Sequence, residues 1–137
     1  VRDFPKSPQA AVALQTKLKT ETDRRDLRAM DPVLNIEVPA AMVTLRQIIE
    51  QFPDEPQTIP ARNRLAMMLT QMNRHADAAQ VLEEMATHGD NPMDVWFRLG
   101  EIYERRLNDM AKARDSYAKV PPGSPRYADA QKKLRSR

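Results

Sequence analysis

Trp96-Phe97-Arg98-Leu99-Gly100-Glu101-Ile102-Tyr103, followed further on by Ala113, Tyr117 and Pro125, is the stretch whose reading decides the fold. On a helix, Trp96, Leu99 and Tyr103 fall at i, i+3 and i+7 and make one apolar stripe. Gly100 adjoins that stripe. Glycine costs a helix about 1 kcal/mol relative to alanine, so its presence predicts a place where a second helix comes close. Ala113 is the small side chain expected to fit there, with Tyr117 and Val120 further along the same face of the returning helix. Pro121-Pro122-Gly123-Ser124-Pro125 ends that helix, because proline lacks the amide donor and clashes with the preceding turn. The unit so described is a helical hairpin.

The same arrangement recurs upstream. A helix is expected from about Ile59-Pro60, with Leu65, Ala66, Met68, Leu69 and Met72 as its buried stripe. Asn73-Arg74-His75 makes the turn, and Ala76 to about His88 returns with Ala78, Ala79, Val81, Leu82 and Met85, closed by Gly89 as the C′ residue. Leu65, Ala66 and Leu69 match Leu99, Gly100 and Tyr103 at an offset of 34; Ala78, Leu82 and Met85 match Ala113, Tyr117 and Val120 at 35. Arg62 stands where the pattern has Trp96.

Earlier still, Pro39 starts a helix carrying Ala41, Met42, Leu45, Ile48, Ile49 and Phe52, with Ala41, Leu45 and Ile48 in the equivalent places. Before it a long helix is expected from Pro8 to about Met30, capped by Ser7, with Ala11, Leu14 and Leu18 on its apolar side and a polar stretch from Lys19 to Arg28. Asp31-Pro32 ends that helix. Val33 to Val38 alternates apolar and polar, and with no partner strand evident it reads as an extended connector. After Pro125, Arg126 to Leu134 forms a last amphipathic helix, whose Tyr127, Ala130 and Leu134 cover the end of the final hairpin. The domain reading is therefore 1–55, a divergent first repeat; 56–91 and 92–125, two repeats; and 126–137, a capping helix.

The order W-x₂-L-G-x₂-Y, then a small residue, an aromatic and a proline, resembles the tetratricopeptide repeat. The steps of 36 and 33 residues from Pro56 to Pro92 and Pro125 suit that family's helix-turn-helix period, whereas the step of 48 from Pro8 to Pro56 implies an insertion. The resemblance implies an all-α fold, hairpins stacked as a right-handed α-solenoid whose first helices line a groove for a protein partner. Carried over by register from Trp96, the groove positions are Asn63, Arg64, Met67, Thr70 and Gln71, then Phe97, Arg98, Glu101, Glu104 and Arg105. Asn63 and Arg64 suit the family's carboxylate clamp; the acidic Glu101 and Glu104 argue against a simple anion clamp. Phe4-Pro5-Lys6-Ser7-Pro8 and Phe52-Pro53-Asp54-Glu55-Pro56 also look like junctions of bacterial envelope members of the family, such as outer-membrane assembly lipoproteins and cell-division coordinators, which points toward the periplasm.

Composition agrees and excludes several alternatives. Many Ala, Leu and Met with three glycines and few aromatics favour helices. Cysteine is absent, which removes disulfides, thiol catalysis and cysteine metal sites. The net charge of +3 comes from 22 basic and 19 acidic residues interspersed through most of the chain, which reads as solvated surface rather than a nucleic-acid face. No apolar run approaches the roughly 20 residues of a membrane span. The opening Val1-Arg2-Asp3 reads as the close of an earlier element, so the chain is expected to be a piece of something longer.

No reactive constellation stands out. His75 and His88 lack metal-ligand spacing and read as surface turn residues. Glu83-Glu84 and Asp54-Glu55 are not placed as a pair across a cleft, and no P-loop, dinucleotide fingerprint or nucleophile elbow occurs. Met68, Met72 and Met85 lie on core stripes. The expectation is a non-catalytic protein-binding scaffold without cofactor or metal that helps assemble a complex, self-association being left open; the rival is a structural accessory subunit of a larger membrane-associated enzyme complex.

Overall fold

The computed structural model describes residues 8–89 and 91–136. Expectations about the junction at Phe4 to Ser7, including the cap by Ser7, lie outside the described residues. Among the described residues 67% are helical, in seven α-helices with almost no sheet, in keeping with an all-α, tetratricopeptide-like helical repeat fold. It divides into two compact units, Val1–Leu65 and Ala66–Arg137, and the division falls inside one helix.

In the first unit, α1 (Pro8–Asp23) and α2 (Ala40–Gln51) pack together, joined by a small antiparallel hairpin of β1 (Arg28–Met30) and β2 (Glu37–Pro39). Two expectations are corrected here. The first helix stops at Asp23 rather than near Met30, and Val33–Val38 is not a lone connector, because its end pairs with the chain that precedes it. The register sets Arg28 opposite Pro39, Ala29 opposite Val38 and Met30 opposite Glu37. The physical reason lies in Asp31. Its amide donates to the Ile36 carbonyl at 2.8 Å, and its carboxylate accepts from the amides of Leu34 at 2.8 Å and Val33 at 3.2 Å. Asp31-Pro32 is thus a turn that folds the chain back, and Asn35 takes a left-handed φ of 58° within it.

Ala40, Ala41, Met42, Leu45 and Ile48 form the buried face of α2 and Leu18 that of α1. Thr44 donates its hydroxyl to Glu21, linking the two helices. The start of α3 (Thr58–Gln71) is tied to α1 by Arg64, whose Nη2 donates to Thr22 Oγ1 at 2.6 Å. Thr58 donates to the carbonyl of Phe52, and Arg62, buried, donates to that of Pro53 at 3.2 Å. The position that has tryptophan in the last hairpin is here a buried arginine serving the Phe52-Pro53 turn.

In the second unit, the end of α3 leads into α4 (His75–Ala86); a 3-10 turn (Pro92–Asp94) then precedes α5 (Val95–Arg105), α6 (Met110–Ala118) and α7 (Tyr127–Arg135). Two helix turns are built alike: Asn73 with φ 62° before α4 and Asn108 with φ 56° before α6. Each supplies the one left-handed residue that a tight reversal requires, and asparagine tolerates it better than other side-chain-bearing residues. α4 ends earlier than expected, with Thr87 as C-cap, so that Gly89, at φ 130°, lies one position beyond C′. Ala113 is fully buried, yet the atoms nearest Gly100 belong to the Tyr117 ring. The approach that glycine permits is therefore made by a tyrosine face, a correction to the expected fit of Ala113. Ala130 is completely buried on α7, with Tyr127 and Leu134 half-buried.

Candidate partner-binding face

The α5–α6 hairpin sets the geometry of the face. Val95, Leu99 and Tyr103 are buried and Trp96 is half-buried, with the Lys119 ammonium 4.6 Å from the centre of its ring. Phe97 is 3% exposed; its ring lies 5.4 Å from that of Tyr117, tilted by 54°, and the Arg126 guanidinium stands 4.6 Å over it. The remaining side chains of α5 point to the side shared with α3 and α7, and two hollows open there.

The first hollow, about 380 Å³, brings Met67, Thr70 and Gln71 of α3 together with Arg98, Glu101 and Arg105 of α5. These are six of the ten residues expected in the groove. Its lining also includes His75, Leu82, Ile102 and Arg106, which register transfer from Trp96 did not single out. Ile102 and Arg106 had a signal, since they adjoin Glu101 and Arg105 in sequence, Ile102 within α5 and Arg106 as its C-cap. His75 departs from the surface reading: it starts α4, is half-buried, and its Nδ1 is enclosed with no hydrogen-bond partner among the described residues.

The second hollow, about 400 Å³, shares Glu101 and Arg105 with the first and adds Arg126, Asp129, Lys132 and Lys133 from α7 and its start. The basic side of the capping helix thus faces the groove. The sequence did not show this, because the direction in which α7 packs depends on where Ala130 is buried.

Four expected groove residues are placed differently. Asn63 and Arg64 belong to the first unit, where Arg64 lines a separate hollow with α1. Phe97 touches the second hollow but its ring is sequestered in the core. Glu104 is engaged internally: it accepts from the Tyr117 hydroxyl at 2.6 Å and pairs with Lys133 at 3.2 Å.

Electrostatics follow from these contacts. The hydrogen bond from Tyr117, and then Lys133, hold the Glu104 carboxyl below its ordinary range despite partial burial. Burial and Glu104 push Tyr117 above its ordinary 10.0, and burial with the Glu83 carboxylate does the same for Tyr103. Burial lowers Arg98, opposed in part by the charge of Asp94. Among the described residues no three His, Cys, Asp or Glu side chains are grouped to hold a metal, and no helix is long and apolar enough to cross a membrane.

Comparison with curated proteins found no match. A sequence model of the tetratricopeptide repeat matches residues 94–121, the span of α5 and α6 with its flanking turns. That match and the helical hairpins support a tetratricopeptide-type repeat, a family of protein–protein interaction modules that are in general non-catalytic.

Proposed function

We propose that this chain is a non-catalytic scaffold that binds a segment of a partner protein in the groove over α3, α5 and α7 and helps assemble or stabilise a multiprotein complex. We further assign residues 56–91 and 92–125 as its two regular repeats, with 1–55 divergent and 126–137 capping, and place it in the bacterial envelope on the likeness of its Phe-Pro-x-x-Pro junctions. The observation that carries the reading is the convergence of Met67, Thr70, Gln71, Arg98, Glu101 and Arg105 on one hollow. Affinity capture of the tagged chain from its own cells tests it. A stoichiometric protein partner should be retained by the native chain and lost from Met67→Arg and Arg105→Glu with helicity unchanged; retention by both variants would place binding elsewhere.

One observation favours the second reading, an accessory subunit of a membrane-associated enzyme complex docked through its first region. Met30 and Val33, on the same β-hairpin, are 60% and 63% exposed, two large apolar side chains that a docked partner could cover. Under that reading, Met30→Ser with Val33→Ser abolishes incorporation while the groove variants are incorporated normally.

A further inference from the structure

We infer that the occupant of the groove is an extended acidic segment of the partner, gripped by basic side chains of α5 and α7 around a small apolar floor; this rests on the groove reading above. Arg98, Arg105 and Arg106 line the hollows from α5 and its C-cap, and Arg126, Lys132 and Lys133 from α7 and its start. The carboxylates lining them are Glu101 and Asp129. The surplus of four positive charges exceeds the net +3 of the whole chain, so the basicity of the protein is concentrated on this face rather than spread over it.

The carboxylates near the groove already have partners. Glu101 lies 4.0 Å from Arg105, Asp129 lies 3.2 Å from Arg126, and Glu104 is held by Tyr117 and Lys133. Arg98, Arg106 and Lys132 make no salt bridge among the described residues; Arg98 is partly desolvated and feels the Asp94 charge without a salt bridge to it, and makes one long hydrogen bond of 3.5 Å to the Met93 carbonyl. A half-buried guanidinium without a paired carboxylate is stabilised by an incoming one, because a charge-assisted pair there is screened less than at open surface.

Between the arginines, Met67 is 49% exposed and Ile102 half-buried, enough to seat one apolar side chain. Arg98 and Arg105 are seven residues apart on α5, about 10 Å along the axis at a rise of about 1.5 Å per residue. An extended peptide covers that distance in about three residues, so carboxylates at that spacing reach both ends. An acidic protein segment is favoured over nucleic acid because, among the residues lining the two hollows, the one aromatic is Phe97, whose ring is buried and offers no face for base stacking.

The test is fluorescence anisotropy of the full chain with four labelled probes: a ten-residue peptide of Glu, Asp and Leu, its Gln/Asn analogue, its Lys analogue and a single-stranded oligothymidylate. The acidic peptide should bind at least tenfold more tightly than its Gln/Asn analogue, weaken as salt rises, and lose at least tenfold in the Arg105→Glu, Arg106→Glu double variant, whose fold is checked by circular dichroism. Equal binding of the acidic and Gln/Asn peptides would overturn the charge inference but leave the groove standing. Tighter binding of the oligothymidylate than of any peptide would overturn it in favour of nucleic acid. If no peptide binds, the groove reading falls with it.

Discussion

In the α5–α6 hairpin, two helices are brought together by the absence of a side chain: Gly100 leaves room for the face of Tyr117, whose hydroxyl then reaches Glu104 at 2.6 Å. Around α1 and α2, by contrast, the closing device is charge. Asp31, 0% exposed, accepts from Arg46 Nε at 2.6 Å while also holding the turn of the β-hairpin, and Arg46 Nη2 is buried with no partner among the described residues. The first device is local shape, repeated with the helical period. The second joins residues 15 apart through one buried ion pair. Shape of that kind recurs as a motif, whereas a single ion pair leaves no period in the sequence.

The difference implies different vulnerabilities, and the largest effect is expected at Asp31. Asp31→Ala removes both the counter-ion of Arg46 and the acceptor for two backbone amides. Breaking one side of a buried pair costs about 3–5 kcal/mol, and Arg46, 17% exposed, puts the loss toward the lower end. Urea unfolding measures it, and hydrogen exchange should show the loss in β1, β2 and α2. Asp31→Asn, which retains a turn acceptor, should cost less. A change under 1 kcal/mol in Asp31→Ala would mean that the ion pair is not what holds this region.

Next comes Gly100→Ala. A Cβ there would lie within 3.0 Å of three atoms of the Tyr117 ring, which cannot give way easily, being fixed between Phe97 and Glu104. Overpacking of this kind costs about 1–3 kcal/mol, against a helix-propensity gain of about 1 kcal/mol. In a Tyr117→Ala background the clash is gone, so Gly100→Ala should become neutral or stabilising. That change of sign in a double-mutant cycle separates a packing role for Gly100 from a backbone role.

These two sites also mark how far the chain could be read in advance. Leu99, Gly100 and Tyr103 declared the last hairpin because packing on a helix face has a period, and their buried places agree with it. By the same register Met67, Thr70, Gln71, Arg98, Glu101 and Arg105 were expected on one face, and they line one hollow, whose binding role is the proposal above. Phe97 broke the rule: it adjoins Trp96, and which aromatic turned inward depended on the offered faces of Tyr117 and Arg126, which are contacts from other elements. The β-hairpin was illegible for a related reason. Nothing between Lys19 and Arg28 breaks a helix, so its end at Asp23 appears only once Leu27 accepts from the Ala40 amide at 2.9 Å.

A smaller effect is expected from Tyr117→Phe, which removes the hydroxyl but keeps the ring over Gly100. A hydrogen bond to a charged group is worth about 1.5–3 kcal/mol. Glu104 is partly solvated and retains Lys133, so about 1 kcal/mol is the expected loss. The pH profile gives the sharper signature. Glu104 is depressed when folded, so its contribution is present above the ordinary value of 4.5 and is lost as pH falls through the folded value. Tyr117 and Tyr103 are raised, so theirs is intact below 10.0 and disappears as pH rises above it. Tyr117→Phe should flatten both limbs, leaving the Tyr103 part of the alkaline one. An unchanged acid limb would show that Lys133, not Tyr117, governs Glu104.

The smallest effect on stability is expected where the effect on binding is largest. Arg105 and Glu101 form an i,i+4 pair at 4.0 Å with side chains 63% and 32% exposed, and such pairs contribute about 0.3–0.5 kcal/mol. Arg105→Gln should therefore leave the urea midpoint nearly unmoved, unlike Asp31→Ala and Gly100→Ala. If it destabilises by more than 1 kcal/mol, Arg105 belongs to the support of α5 rather than to the face that α5 presents. If stability holds while binding of the acidic probe falls, the α5–α6 hairpin has divided its two sides cleanly: Gly100 and Tyr117 hold the helices together, and the arginines on the other side are free to meet a partner.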